Sequence, residues 1–557
     1  MKIGKTIKKL FHIGSGEPQF SLGDKSWRRP DLKSDSAQEK LGSDLARNRK
    51  RLESVFELPT NKDIVIRDFQ IPVLQKDALI IYIDGLTDRN TQNFAVLEPL
   101  MILNAIQTAH YQEAKISGKD LINIVYDKLL PEQQVTKTEG LEDIINGILE
   151  GNSIFLMDGS PTGLIIETKG WEHRGVDRPA NEPVVRGPQE GFTETFRANT
   201  AAIRRYIKDP KLISEIFRVG KRSRTLVSVM YIKDIANPRL VEEVKYRIQS
   251  IADQTDYISE SGALEEYIED HPRSLLPQML STERPDRVAA HLREGHVGIV
   301  MANSPFSLVI PATFTIFLHA AEDYYLRWPF GNFLRVIRTA SIFIALLFPA
   351  IYVGVINYHQ EMVPTDLLLS IASAREAVPF PAFVEILFME FSFELIREAG
   401  IRIPSVIGPT IGIVGALILG QAAVAASIVS PILIIVIAIT AISSFVVPNY
   451  NASFAVRLLR FAFIALAGFL GFFGIAFGIF IFALHLAKLS SFGVPFLTPI
   501  APYKSKNRDR VLRPPGFSEK YRPLYLRPLD WIRQSDNTRP WDNPHKNPKG
   551  GAESGEQ

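Results

Sequence analysis

The sequence predicts an α/β N-terminal soluble region of two subdomains followed by an α-helical polytopic membrane domain. Residues 403–456 contain no Asp, Glu, Lys or Arg, although 22% of the chain is charged. Because a membrane-spanning helix needs about 20 apolar residues, this stretch is long enough for two spans. Ahead of it, short Ile- and Val-rich runs alternate with helical patterns, as is typical of α/β domains.

Five segments follow from these patterns. We expect a disordered basic arm at the N-terminus, because Lys and Arg outnumber acids there and large apolar residues are few. The predicted order is the arm over 1–51, α/β subdomains over 52–150 and 151–290, a helical membrane domain over 291–490, and a Pro-rich basic cytoplasmic tail over 491–557.

The composition excludes several kinds of chemistry. The 557-residue chain has no cysteine and a net charge of +3, so disulfides, thiolate metal sites and cysteine nucleophiles are excluded, and nucleic-acid binding is not indicated. The basic residues 1–10 are not followed by the apolar run of a signal peptide, so we expect membrane insertion to depend on internal spans. The P-loop, H-E-x-x-H and G-x-S-x-G motifs do not occur, so we expect no enzymatic activity, cofactor or metal.

The soluble region contains recognisable strands and helices. The runs 152–157 and 163–168 flank Asp158-Gly159-Ser160-Pro161-Thr162, which predicts a β-hairpin. Asn237-Pro238 is typical of a helix start. Further strands are predicted over 63–69, 78–83 and 225–231, and helices over 98–111, 121–130, 140–150, 195–206, 210–219 and 237–249.

The membrane domain begins with an irregular stretch. Residues 296–321 have no Asp, Glu, Lys or Arg but contain Pro305 and Pro311, which favours a broken or re-entrant element. The next segment combines aromatic residues of the kind found at membrane interfaces with arginines that suit a cytoplasmic side. They are Tyr324, Tyr325, Trp328, Arg327, Arg335 and Arg338.

Four spans are predicted, over 339–358, 405–423, 428–447 and 461–487. This count places both termini inside, which suits their basic composition, but leaves Arg457 and Arg460 outside. In the last span Gly468, Gly471, Gly474 and Gly478 share one helix face, which predicts a packing seam.

Residues 378–400 predict an amphipathic helix that carries Glu390, Glu394 and Glu398 on one face. Two interpretations remain open. The helix could lie in the membrane interface, or its acids could face a water-filled vestibule. The cost of a carboxylate in lipid favours the first interpretation and the four-span count.

The Gly- and Pro-rich stretch 405–421 has the small residues that let helices approach closely in lipid. An ordinary helical hairpin with no pathway is an equally good explanation of these residues. The candidates for a pore or a subunit interface are Gly408, Gly412, Val414, Gly415, Gly420 and Gln421.

A more specific pattern precedes the membrane domain. Arg174-Gly175-Val176-Asp177-Arg178-Pro179 is followed by Glu182-Pro183 and by Val185-Arg186-Gly187-Pro188-Gln189-Glu190-Gly191-Phe192-Thr193-Glu194. This segment resembles the signature of the A subunit of the GerA-type spore germinant receptors. Residues 82–86, 404–420 and 491–499 resemble the family's strand-turn, its membrane core and its exit from the last span.

The signature has a physical interpretation of its own. Gly187-Pro188 and Gly191 predict a stiff turn, and Glu182, Glu190 and Glu194 balance arginines at 174, 178, 186 and 197. Such an ionic set can order a loop or dock a neighbouring subunit, and anion binding is the alternative. We expect the structural or docking role for Glu182, Pro183, Arg186, Gly187, Pro188, Glu190, Gly191, Phe192 and Glu194.

The resemblance implies a subunit of a nutrient receptor in the inner membrane of the endospore, with the soluble region and tail in the cytoplasm. It implies a permease-like B subunit and a lipoprotein C subunit as partners, and amino acids, sugars or nucleosides as germinants. The A subunit would then be a homo-oligomeric ion-conducting or gating component. Three alternatives remain: a secondary transporter, although no inverted repeat is found, a non-conducting scaffold, and direct nutrient binding by residues 52–290.

Overall fold

The computed structural model describes residues 40–72, 74–101, 122–131, 134–170, 179, 181–402, 418, 420–503, 509–535 and 538–539. The predicted basic arm lies outside these residues up to position 39. So do the end of the predicted 98–111 helix, most of the predicted 405–423 span and the end of the predicted tail. The predicted end of the arm at 51 is wrong because a helix begins at Leu45.

The first part of the chain forms a five-stranded antiparallel sheet in the order β1-β2-β4-β5-β3. In the central strand β2, Leu79 and Ile81 face one hydrophobic core while Ala78 and Ile80 face another, because successive side chains point to opposite faces. The strands are β1 (Ile64–Ile71), β2 (Lys76–Ile83), β3 (Val135–Thr138), β4 (Ser153–Met157) and β5 (Gly163–Ile166).

Helices cover both faces of this sheet. Helices α1 (Leu45–Val55) and α2 (Leu141–Leu149) supply residues to the core that Leu79 and Ile81 enter. The helical segments Glu98–Met101 and Val125–Leu129 contribute to the other core. The predicted hairpin over 152–168 is confirmed as β4 and β5. The predicted subdomain boundary at 150 is wrong, because both strands belong to the first sheet.

A second five-stranded antiparallel sheet follows in the order β6-β7-β9-β10-β8. Its strands are β6 (Leu212–Val219), β7 (Thr225–Ile232), β8 (Leu280–Thr282), β9 (Val297–Met301) and β10 (Ser307–Ile310). Helices α3 (Phe196–Tyr206) and α6 (Pro285–Arg293) cover one face, and α4 (Pro238–Ala252) and α5 (Ser261–Ile268) cover the other. Asn237 caps α4 by accepting a hydrogen bond from the Arg239 amide at 3.1 Å, as its position ahead of Pro238 predicts.

Two sequence predictions are wrong in this sheet. Residues 210–219 are predicted to be helical, but β6 pairs with β7 along its whole length. Residues 296–321 were expected to be re-entrant, but they contain β9 and β10. Their lack of charge reflects burial of the sheet on both faces. The soluble fold therefore extends past the predicted boundary at 290, at least to Ile310.

A buried ion pair joins the two sheets. Arg204 on α3 donates to the two carboxylate oxygens of Asp63 at 2.5 and 2.7 Å and to Asn61 Oδ1 at 2.9 Å. Both charged side chains are 1% exposed. A charge so fully removed from water is tolerated only when paired, so Arg204 and Asp63 fix the relative position of the two sheets.

The helical region contains α7 (Trp328–Tyr358), α8 (Thr365–Arg375), α9 (Ala382–Arg402), α10 (Pro431–Phe445) and α11 (Tyr450–Lys488). The predicted spans 339–358 and 461–487 fall in α7 and α11, and the span 428–447 corresponds to α10. Among the described residues, α7 and α11 are the two helices long and apolar enough to cross a membrane, and α10 is a shorter apolar helix.

Helix α11 turns back on itself at Gly471, whose φ of 59° and ψ of −142° are not helical. A Cβ on Gly478 would lie 2.8 Å from Phe463 Cε1, whereas residues fifteen apart in an unbroken helix are about 22 Å apart. The predicted 461–487 span is therefore divided into two antiparallel arms, 450–470 and 472–488. The predicted glycine seam is divided by the same turn. Gly468 and Gly471 pack against Phe383 and Tyr358, whereas Gly478 packs against Phe463 of the first arm.

The chain after α11 is part of the α/β core rather than only a solvated tail. A two-stranded ladder, β11 (Ser490–Ser491) and β12 (Val494–Pro495), buries Phe492 and Phe496 completely. Further on, the Leu529 amide donates to the Ile235 carbonyl at 2.8 Å, and Leu526 is fully buried. The predicted tail boundary at 491 is therefore wrong, because residues 490–496 and 522–529 pack on the second sheet.

The turn at Gly471 gives a stability prediction. We expect Gly471→Ala to lower the free energy of unfolding by about 1–3 kcal/mol, because a side chain is strained at this φ and ψ and its Cβ would lie 2.9 Å from Tyr358 Cγ. The matched control is Gly400→Ala in α9, where nothing lies within 4 Å of the new Cβ. Thermal unfolding of the purified full chain in detergent measures both variants, and equal midpoints would contradict the turn.

Candidate functional site

A buried polar cluster lies where the α/β region meets α7, and we call Asp323, Arg335, Arg338 and Asp509 the junction cluster. The Asp323 carboxylate accepts hydrogen bonds from Arg335 Nε at 3.1 Å and from Arg338 Nη1 at 2.5 Å. Arg335 also pairs with Asp509, which follows the helical region in the chain. The Asp323 side chain is fully buried and that of Arg335 is 1% exposed, so the cluster holds α7 to segments on both sides of it.

Asp509, which lies at the outer edge of the junction cluster, is stabilised in its ionised form by its neighbours. The Tyr324 hydroxyl donates to the Asp509 carboxylate. Burial alone would raise the pKa of Asp509. The combined effect of His319, Arg335 and Tyr324 is larger than that of burial and holds the pKa of Asp509 below its usual value. Asp509 therefore remains a carboxylate that can pair with Arg335 at neutral pH.

The signature loop, residues 181–195, docks beside this cluster. Glu182 accepts hydrogen bonds at 2.5 Å from both Arg287 Nη1 and Thr282 Oγ1. Arg284 donates to the carbonyl of Glu182 at 3.1 Å and to that of Pro188 at 2.7 Å. The loop is thus held by two arginines at the start of α6.

The loop also reaches the entry to α7. Gly187, with φ of 127°, lies so close to the Tyr325 ring that an added Cβ would be 2.8 Å from Cε2. The Tyr325 hydroxyl donates to Asp286, which itself pairs with Arg284 at 3.0 Å. The Val185 amide donates to Glu322 at 3.3 Å. The signature loop therefore connects α6 to the turn that precedes α7.

The other signature residues have separate environments. Glu190 pairs with Arg205, Gly191 and Phe192 are buried, and the Glu194 carbonyl accepts a hydrogen bond from Asn303. Pro183 and Arg186 are exposed. Arg197 pairs with Asp84 at 3.1 Å, and the signature arginines 174 and 178 lie outside the described residues. Glu182 and Glu190 thus pair with arginines that were not in the predicted ionic set, Arg287 and Arg205.

A second polar cluster, which we call the charged ladder, lies inside the helical region. Glu390 pairs with Arg460 at 3.0 Å, and both side chains are 1% exposed. Glu394 pairs with Arg457 and, at 3.3 Å, with Arg397. Glu398 pairs with Arg402 at an exposed position. The ladder therefore joins α9 to the first arm of α11.

The ladder shows where residues 378–400 place their acidic side chains. Glu390 faces the interior of the helical region, whereas Phe391 and Leu395 are 60% and 55% exposed. Around Glu390 the helix buries a charged side chain and presents apolar side chains outward, which is the reverse of a helix on a water-soluble protein. Arg457 and Arg460 are likewise internal partners of Glu394 and Glu390 within the helical region.

Two of the six predicted pore or interface residues lie within the described residues. Gly408, Gly412, Val414 and Gly415 lie outside the described residues. Gly420 is buried, and Gln421 is exposed next to it on the surface of the single protomer.

An acidic group lies beside the end of α11. Ser274 and His485 side chains contact each other at 3.3 Å, which places the loop after α5 against the second arm of α11. On this loop, burial raises the pKa of Glu269 to about 8, assisted by the negative charge of Glu265 and other neighbouring acids. Burial raises the pKa of Glu265 to about 7.

These clusters position elements and expose no reacting group. Among the described residues, no group of three or more His, Asp or Glu side chains is arranged to hold a metal ion. The arginines and carboxylates are instead paired with one another across element boundaries. The arrangement can couple the position of the α/β region to that of α7 and α9.

The fold and the two clusters define an α/β domain tied rigidly to an apolar helical region with internal charges. Residues 50–525 match the family described as Bacillus/Clostridium GerA spore germination protein, so the chain belongs to that family. The resemblance of the signature is thereby confirmed.

Individual relatives cover most of the chain. Spore germination protein KA of Bacillus subtilis (strain 168) is 40% identical over 88% of this chain and 88% of its own length. The uncharacterized membrane protein YfkQ of the same organism is 40% identical over 83% of this chain and 87% of its own. The crystal structure of the N-terminal domain of the A subunit of the Bacillus megaterium spore germinant receptor GerK3 is 29% identical. It covers 50% of this chain and 98% of that chain, with a TM-score of 0.37.

The raised pKa of Glu269 gives a prediction about pH. The folded chain binds this proton more tightly than the unfolded chain does, because the ordinary glutamate pKa is about 4.5. The contribution of Glu269 to the free energy of unfolding is therefore fully present below about pH 4.5 and is lost as the pH rises through about 8. Glu269→Gln should reduce the fall in thermal midpoint between pH 5.5 and pH 8.5.

The matched control is Glu260→Gln, an exposed residue at the start of α5. It should keep the pH dependence of the unsubstituted chain. If Glu269→Gln and Glu260→Gln change the pH dependence equally, burial of the Glu269 carboxyl is not its cause.

Proposed function

We propose that this chain is the A subunit of a nutrient germinant receptor in the inner membrane of the endospore. In that complex it acts as a non-enzymatic, homo-oligomeric ion-conducting or gating component that responds to amino acid, sugar or nucleoside germinants. The observation that carries the proposal is the match of residues 50–525 to the GerA spore germination family. The name of the relative spore germination protein KA agrees with a role in germination.

A membrane location is supported by the distribution of side chains in the helical region. Large apolar residues such as Phe343, Ile442 and Phe473 are 60%, 66% and 72% exposed, whereas Glu390 and Arg460 are internal. Burying charges and exposing aromatic rings is unfavourable in water and favourable in lipid. The relative YfkQ is itself described as a membrane protein.

The directions of the helices support a multi-pass arrangement. Helix α7 starts at the junction cluster and ends with Tyr358 beside Gly471, at the turn of α11. Helix α9 starts near that turn, where Phe383 faces Gly468, and the second arm of α11 returns to the α/β region. We therefore extend the expected four spans by counting α9 and each arm of α11 as separate crossings, with both ends of the helical region on one side.

The distribution of charge supports a cytoplasmic α/β region. The ends of α7 and α11 that meet the α/β region carry exposed Arg327 and Lys488. The connection 359–381 at the opposite end contains Glu361, Asp366 and Glu376 against one arginine. Basic residues favour the cytoplasmic side of a membrane protein.

The remaining parts of the proposal concern assembly. We propose a permease-like B subunit and a lipoprotein C subunit as partners, since the family works as a receptor complex. The small residues around Gly412 and Gly420 would let protomers approach closely. The exposed side chain of Gln421 would then lie at the interface or line the conduit, together with Gly408, Val414 and Gly415.

The test uses spores of the native host in which the chromosomal copy is replaced by Gln421→Trp or Val414→Trp. We expect at least about a tenfold loss in the rate of cation release after a mixture of amino acids, sugars and nucleosides is added, which corresponds to about 1.4 kcal/mol in an activation barrier. Bulk at these positions should obstruct the conduit or prevent protomers from meeting.

The matched control is Phe473→Trp, an exposed aromatic position in the helical region, which should release cations at the normal rate. Immunoblots of spore membranes establish that each variant is present in normal amount. Normal release from both Gln421→Trp and Val414→Trp would exclude the conduit. If the two variants lose germination but the purified unsubstituted chain shows no conductance in a planar bilayer, the chain is a scaffold and not a conduit.

A further inference from the structure

The α/β region contacts one end of each of the two longest helices. Helix α7 starts at Trp328, shortly after Asp323 of the junction cluster, and α11 ends at Lys488, immediately before the ladder of β11 and β12. Both helix ends are therefore attached to the second α/β sheet and its neighbouring loops.

The exposed apolar surface of α11 continues onto the α/β region. Phe480 and Leu484 are 60% and 54% exposed on the last turns of α11. The next residue, His485, contacts Ser274, and the following residue in that loop, Leu275, is 49% exposed. An apolar side chain thus extends the surface of the helix onto a loop of the soluble fold.

The segment after β12 carries a similar surface towards α7. Phe496 is anchored by a 2.9 Å hydrogen bond from its amide to the Leu489 carbonyl, at the end of α11. Beyond it, Ile500 and Tyr503 are 44% and 68% exposed, and the Arg510 guanidinium lies 4.2 Å from the centre of the Tyr503 ring. Arg510 adjoins Asp509 of the junction cluster, so this segment leads to the start of α7.

Basic residues border these apolar side chains. Arg273 and Lys488 are exposed beside Leu275 and the end of α11. The nearby Asp270 carboxylate is occupied by Arg247, at 2.6 Å, and by Ser490, at 3.1 Å. The acids Glu265, Glu266 and Glu269 lie further back on α5 and after it. Aromatic, aliphatic and basic side chains in this combination are typical of a surface at the level of lipid head groups.

We propose that the α/β region itself rests on the membrane through a lipid-binding collar formed by Leu275, Ile500, Tyr503, Trp328, Arg273 and Lys488. The collar binds the surface of a bilayer that contains anionic lipids: the apolar side chains enter the head-group layer, and the two cations pair with lipid phosphates. This inference rests on the proposed membrane location of the helical region. It adds a lipid contact made by loops outside the helices, which would fix the height and tilt of the α/β region.

The absence of cysteine from the chain allows a direct test with single nitroxide labels. Leu275→Cys and Ile500→Cys are introduced separately into the full chain, labelled, and reconstituted into nanodiscs of phosphatidylcholine with phosphatidylglycerol. Relaxation by oxygen reports lipid contact, and relaxation by a water-soluble nickel chelate reports water contact. We expect the nickel chelate to relax both labels only weakly, because lipid shields them from water. The double substitution Arg273→Gln and Lys488→Gln should partly restore relaxation of these labels by nickel.

Two control positions separate the possible outcomes. Tyr257→Cys lies at the opposite end of the second sheet, near the Asp256 carbonyl that accepts from the Arg222 amide, and should remain accessible to nickel. Phe473→Cys in the helical region should be accessible to oxygen only. If the Phe473 label is accessible to nickel, the membrane location itself is wrong. If the Phe473 label is accessible to oxygen only, while the labels at 275 and 500 are as accessible to nickel as the label at 257, the lipid-binding collar is wrong but the membrane location stands.

Discussion

The structure depends on one buried carboxylate, that of Asp323, which lies between Arg335 and Arg338 at the start of α7. Removing one partner from a buried ion pair costs about 3–5 kcal/mol, because the other charge is left without compensation. The three side chains must therefore move together or not at all. Since Asp323 precedes α7 and the arginines lie on it, these ion pairs restrain the first apolar helix relative to the segment that leads out of the α/β region.

Further pairs extend this constraint in both directions. Asp509, beyond the helical region, binds Arg335, and the signature loop contacts Tyr325 through Gly187. Within the helical region, Glu390 and Glu394 attach α9 to the first arm of α11. A displacement of the signature loop or of α6 would thus be transmitted to α7, and a displacement of α9 to α11. Such paired, buried contacts have few intermediate arrangements, as the proposed gating role requires.

Local structure could be predicted from the sequence where turn and capping residues mark the ends of the strands and helices. The hairpin formed by β4 and β5 and the Asn237 cap of α4 follow from turn and capping residues. Residues 210–219 and 296–321 were mispredicted, because a short apolar run has the same composition in a buried strand, a helix or a broken span. Their true state depends on pairing with β7 and with each other, which no local pattern contains.

The functional residues divide in the same way. The signature identified Glu182, Gly187 and Glu190, but not Arg287, which is distant in sequence from Glu182 and meets it only through the fold. The spacing of Glu390 and Glu394 predicted that they share a helix face, but not whether this face points to the protein interior. That depends on the positions of their partners Arg457 and Arg460, which only the fold supplies. Asp323 and Asp509 had no distinguishing pattern at all.

The most direct test of this account measures the distance between the α/β region and the helical region in the intact chain. Nitroxides on Tyr246→Cys in α4 and Phe473→Cys in α11, both exposed positions, report it by double electron–electron resonance. The account predicts one narrow distance distribution for the otherwise unsubstituted chain and a broad one when Asp323→Asn is added. A distribution that is already broad, or one that Asp323→Asn leaves unchanged, would contradict the claim that the junction cluster fixes the two regions to each other.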